Sequence, residues 1–66
     1  MIDKNGNNIK VGTPVKVDMF NIHDHGLVVR FYCRITFHKK EDVAEVRLKS
    51  GRFIMVTSKY LVKEFW

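Results

Sequence analysis

The sequence predicts a small all-β fold, a barrel of five short strands with one helical turn just before the last of them. Three observations lead there. The chain has only 66 residues, which limits it to one domain. Several runs alternate apolar and polar residues with a period of two, the signature of half-buried strands. Glycine, asparagine and polar clusters cut those runs into short pieces, as turns between neighbouring strands require.

One domain is expected across residues 1–66, with 1–8 as a lead-in turn or short strand. A domain this small buries about 60% of the surface that its unfolded chain exposes. Its net stability is expected near 3–5 kcal/mol. No disulfide adds to it, because Cys33 is the single cysteine. A lone thiol fits a reducing compartment and points to the cytoplasm. Met1 runs straight into Ile2-Asp3-Lys4-Asn5-Gly6, a polar stretch unlike a secretory leader. The apolar run Leu27-Val28-Val29 stops at Arg30, far short of a membrane span of about 18 residues. The hydrophobic fraction of 45% is that of a globular chain. Twelve Lys and Arg against seven Asp and Glu give a net charge of +5 and a pI near 9.7. That bias favours polyanionic partners, nucleic acid first.

Asn5-Gly6-Asn7-Asn8 is a turn signal between Ile2 and Ile9. Gly12-Thr13-Pro14 punctuates next, and Pro14 is tolerated at a strand's first position. Val15, Val17 and Met19 then alternate with Lys16, Asp18 and Phe20, predicting the first strand. Asn21 to Gly26 reads as a loop. In the second strand Leu27, Val29, Phe31, Cys33, Ile35 and Phe37 share the inner face. Val28, Arg30, Tyr32, Arg34, Thr36 and His38 share the outer one. Its length predicts a bend or bulge near Tyr32. Lys39 to Asp42 reads as a polar turn, and Val43 to Lys49 as a third strand with Ala44, Val46 and Leu48 facing in. Ser50-Gly51 turns the chain into a fourth strand, Arg52 to Thr57. A two-residue turn puts Phe53 and Met55 in the core, whereas a three-residue loop ending on Gly51 puts Ile54 and Val56 there. The second register is preferred, because β-branched residues suit a tight sheet core. Ser58-Lys59-Tyr60 is expected to make one helical turn, and Leu61 to Phe65 the fifth strand.

This order of elements resembles the Src-homology-3-like barrels, and within them the Tudor- and KOW-like small barrels. Ile9 to Val17 looks like their approach to strand one, Gly26 to Val29 like the start of strand two. Val46 to Arg52, with Val56 and Leu61, looks like their last hairpin and closing turn. The resemblance implies a fold far more than a function. It departs from KOW-type segments, because the first long loop offers only Gly26. It departs from methyl-lysine readers, because Phe20 and Tyr32 alone do not make an aromatic cage.

A four-residue turn at Lys39–Asp42 would pair Phe37 with Ala44, Ile35 with Val46 and Cys33 with Leu48, all facing the core. On the outer face it would set Arg34 across from Arg47 and Tyr32 across from Lys49. Like charges opposed on a sheet are unfavourable alone, and phosphate would relieve them. Arg30, Tyr32, Arg34, Arg47, Lys49 and Arg52 are therefore the expected nucleic-acid contacts, arginine pairing phosphate and the aromatic stacking a base.

His23 and His25 flank Asp24 and are weak candidates for a transition metal, but a structural site needs four ligands. Cys33 is expected on the core face and inert. No paired carboxylates, no serine–histidine arrangement and no glycine-rich phosphate loop stand in the sequence, so neither an enzyme, a cofactor nor a small-molecule substrate is expected. The alternative reading is a protein-interaction or homodimer module, using Tyr60, Phe65 and Trp66 with Phe53 or Met55 beside them. Stand-alone basic barrels of this kind suit bacterial or phage accessory proteins by analogy.

Overall fold

Residues 1–64 are described by the structure, a computed structural model; Phe65 and Trp66 lie outside the described residues. Val15 and Val17 fix the first strand, β1 (Pro14–Met19). Both are fully buried, and Met19 packs against the same core. The chain then reverses over Phe20 and Asn21, so that Met19 lies across from Ile22. The expected loop from Asn21 to Gly26 is thus strand from Ile22 on. Asp18, Val17 and Lys16 supply partners for His23, Asp24 and His25. Phe20 takes φ +46° at this turn. That backbone region suits glycine or asparagine and costs a bulky residue about 1 kcal/mol or more.

The long strand β2 (Ile22–Thr36) pairs with β1 on one side and with β3 (Lys39–Leu48) on the other. The sheet continues through β4 (Phe53–Thr57), while β5 (Leu61–Lys63) returns to the free side of β1. All pairings are antiparallel, in the order β4-β3-β2-β1-β5. Ser58–Tyr60 forms a single 3-10 turn before β5, where one helical turn is expected. The sheet curls so that one cluster gathers side chains from every strand. Val15 and Val17 of β1, Val28 of β2, Ala44, Val46 and Leu48 of β3, Val56 of β4 and Leu61 of β5 meet Ile9 there. Val46 lies across from Ile54 and Ala44 from Val56. The β3–β4 connection therefore follows the three-residue register, with Gly51 at φ +96°.

The inner face of β2 departs from expectation. A bulge at Val29 separates the pairs Val28–Val46 and Arg30–Glu45. One extra residue exchanges the faces of a strand. Before the bulge the even residues Gly26 and Val28 turn inward and are buried. After it the odd residues take that side. Leu27 is consequently on the outer face, level with Arg47. The bulge sits three residues ahead of the expected bend at Tyr32.

The β2–β3 connection departs further. The chain turns at Phe37-His38, Thr36 lies across from Lys39, and Lys39–Asp42 is strand and not turn. Phe31 faces Ala44, Cys33 faces Asp42 and Ile35 faces Lys40, so the expected pairs Phe37–Ala44, Ile35–Val46 and Cys33–Leu48 do not form. The hairpin outruns the core and projects as an arm, which lengthens the molecule to 36 Å against 23 and 20 Å. Cys33 is exposed on this arm, as are Phe31, Ile35 and Phe37. The expectation that these side chains fill the core is overturned, because the core cluster reaches along β3 only to Ala44, across from Phe31, and the hairpin beyond that rung carries no part of it.

The N-terminal segment closes the other side. Ile2 bridges Asn8, and Ile9 drops into the core. Asp3 is buried and its carboxylate accepts the backbone N–H groups of Asn5 (2.8 Å), Asn7 (2.8 Å) and Lys63 (2.6 Å). The Lys4 N–H donates to the Leu61 carbonyl at 3.3 Å. One side chain thereby shapes the lead-in turn and ties it to β5.

Candidate functional site

Residues paired across strands share a face, so the register places the predicted contacts. On the outer face Arg34 stands across from Glu41, Tyr32 from Val43, Arg30 from Glu45 and Leu27 from Arg47. On the far side of β3, Met55 stands across from Glu45 and Phe53 from Arg47. Arg30, Tyr32, Arg34 and Arg47 thus share the face expected of them. The like-charge opposition of Arg34 with Arg47, and the pairing of Tyr32 with Lys49, do not occur. Carboxylates interleave instead. Arg34 Nη2 meets Glu41 Oε2 at 2.6 Å and Arg30 Nε meets Glu45 Oε1 at 3.3 Å. Tyr32 donates to Glu45 at 3.5 Å, under an Arg30 guanidinium 5.9 Å from its ring centre. The hydrogen bond from Arg34 holds the Glu41 carboxyl below the usual carboxylate range. Such exposed pairs add little stability, but they neutralise the arginines that an anion would need.

The cations left over lie at the other end of β3. Arg47, Lys49 and Arg52 make no ion pair among the described residues. Arg47 and Lys49 line a groove of about 430 Å³ together with His25, Gly26, Leu27, Leu48 and Glu64. Two local features build it. Gly26 presents no side chain where β2 runs against Val46 and Arg47. The Lys49 N–H donates to the His25 carbonyl at 2.8 Å, which draws the end of β3 onto β2. The β3–β4 turn, closed by Leu48 N–H to Arg52 O at 2.7 Å, sets Arg52 level with Leu48, next to the Arg47–Phe53 pair and outside the groove lining itself. Leu27 and Phe53, both exposed, stand on either side of Arg47. A guanidinium and an ammonium beside apolar platforms suit a phosphate chain with unstacked bases. Glu64 is the carboxylate in the lining, and it is engaged by His25 Nδ1.

The two histidines part company. His23 pairs with Asp18 at 2.5 Å, which holds that carboxyl below its ordinary range, while His25 pairs with Glu64. Among the described residues no three His, Cys, Asp or Glu side chains gather to share a metal ion. Tyr60, half-buried, has its ring centre 6.0 Å from that of Phe20 and the Lys59 ammonium 5.1 Å from its own. Phe65 and Trp66, the rest of the expected protein contact, lie outside the described residues, and Met55 is exposed.

Leu27, His25 and Glu64 are groove residues that sequence reasoning missed. Only the Val29 bulge turns Leu27 outward, and only the β1–β5 pairing brings residue 64 beside residue 25. Among the described residues no helix is long and apolar enough to cross a membrane. No family model, curated protein or solved structure matches the chain.

Proposed function

We propose that this chain is a non-enzymatic module that binds nucleic acid along the groove between β2 and the β3–β4 turn. One observation carries the reading. Arg47 and Lys49 converge on an open groove without a carboxylate paired to either among the described residues, between exposed Leu27 and Phe53. Arg47, Lys49 and Arg52 are the phosphate contacts, and Phe53 is the stacking platform. Arg30, Arg34 and Tyr32 sit further along the same face and contribute less, since each arginine already has a carboxylate. The strand order and the 3-10 turn support a Src-homology-3-like barrel as the frame. The unpaired thiol of Cys33 supports a reducing, cytoplasmic setting.

Two charge-matched variants test the site. Arg47→Ala/Lys49→Ala and Arg30→Ala/Arg34→Ala each remove two positive charges from a net of +5. Fluorescence anisotropy with labelled single-stranded RNA, single-stranded DNA and duplex measures both. The first variant is expected to bind about tenfold or more weakly, and the second to lose about threefold or less. Equal losses would reduce the attraction to net charge and remove the groove from the account.

A further inference from the structure

The arm formed by β2 and β3 carries an apolar face that the core does not use. Phe37 at its tip is fully exposed at 100% and Ile35 is 75% exposed, with Phe31 and Cys33 in the same row. Along this face the rungs are Phe31–Ala44, Cys33–Asp42 and Ile35–Lys40, followed by the Phe37-His38 turn. The apolar side chains lie in the β2 column, and one acidic and one basic residue lie in the β3 column. We infer that two copies of this chain pair through these arms, face to face and antiparallel.

The register itself selects that arrangement. A two-fold axis running across the strands, midway between the Cys33–Asp42 and Ile35–Lys40 rungs, stacks each column on its own copy and reverses the order of the rungs. Asp42 then meets the partner's Lys40, and Lys40 meets the partner's Asp42. Cys33 packs against the partner's Ile35, and Phe31 lies over the partner's Phe37. Rungs on one face are about 7 Å apart, so the same axis satisfies all four contacts at once. The other face-to-face choice, with strands parallel, sets Ile35 on the partner's Lys40 and Cys33 on the partner's Asp42, which buries charge on apolar groups. Self-complementarity of this kind is what a two-fold interface demands. The contact is small, below about 1,200 Å², so association depends on concentration. The groove at Arg47 and Lys49 faces away from this pairing and stays open in the dimer, because those residues stand on the outer side of β3 or beyond its end.

Sedimentation equilibrium on the full chain over a wide concentration range tests the pairing. The unmodified protein is expected to pass from monomer to dimer. Lys40→Asp opposes like charges at both ends of the pairing and is expected to weaken self-association about tenfold or more. The swap Lys40→Asp/Asp42→Lys restores opposite charges and is expected to return it to within about threefold of the original. Both positions are exposed and clear of the core cluster, and circular dichroism verifies that each variant stays folded. A monomer at every concentration overturns the inference. So does a dimer indifferent to Lys40→Asp, or a swap that fails to restore association.

Discussion

Gly26→Ala is expected to cost about 3 kcal/mol or more, most of the stability available to a domain of this size. Gly26 lies inside β2 and pairs with Val15 on one side and Leu48 on the other. A methyl group there would overlap the Arg47 carbonyl oxygen and stand 2.8 Å from Val46 Cγ1. The first obstacle is backbone of a central strand, so no rotamer change relieves it. To admit the methyl, β3 must move away from β2, and that separates Val28 from Val46 in the core. Thermal unfolding followed by circular dichroism should show a fall of about 12–24 °C. An unchanged midpoint would mean that β2 and β3 are not in this contact, and the groove built on it would go as well.

Asp3→Ala ranks second, with an expected loss of about 2 kcal/mol. The carboxylate answers three backbone N–H groups, and the one from Lys63 belongs to an edge strand only three residues long. Alanine leaves those donors to find water where the lead-in segment covers them. The effect carries a pH signature. Burial raises the Asp3 pKa, but the hydrogen bonds from Lys63, Asn7 and Asn5 outweigh it and leave the carboxyl below its ordinary value. A carboxyl lowered by folding contributes stability that is present above the unfolded pKa, about 3.9. It is lost as pH falls through the folded value. Urea midpoints should therefore fall on acidification below that point, and Asp3→Asn, which keeps an acceptor but cannot titrate, should fall less steeply. Asp18 and Glu41 are lowered too, so part of the slope survives in the variant. Parallel curves for the two proteins would remove Asp3 from this role.

The parts of the fold that were legible were those where local chemistry and packing agree. Val15 and Val17 alternate beside Pro14, Gly51 allows the left-handed turn, and Ile54 and Val56 suit a tight core, so β1, β4 and the turn between β3 and β4 follow from the residues. The second hairpin did not follow, for two reasons. Leu27-Val28-Val29 is apolar on either face, so nothing marks the extra residue that exchanges sides at Val29. Phe37-His38 lacks the glycine or asparagine of a tight turn, whereas Lys39-Lys40-Glu41-Asp42 has a turn's polarity and yet is strand. Charge held the missing clue. Arg30 and Arg34 share the four-residue spacing of Glu45 and Glu41, and only one register sets each arginine across from a carboxylate. That register also exposes the arm and, of the predicted basic contacts, leaves Arg47, Lys49 and Arg52 without an ion pair among the described residues. The candidate site was thus legible as a set of basic residues on one face, but its division into a neutralised half and an open half was not.

The most direct trial of that division is the salt dependence of nucleic-acid binding. Neutralising phosphate with Arg47, Lys49 and Arg52 should give a plot of log K against log salt with a slope of about −2 to −3. Arg47→Ala/Lys49→Ala should flatten it by about 1.5–2. A slope near zero in the unmodified protein, or the same slope in both proteins, would show that these cations do not hold a polyanion.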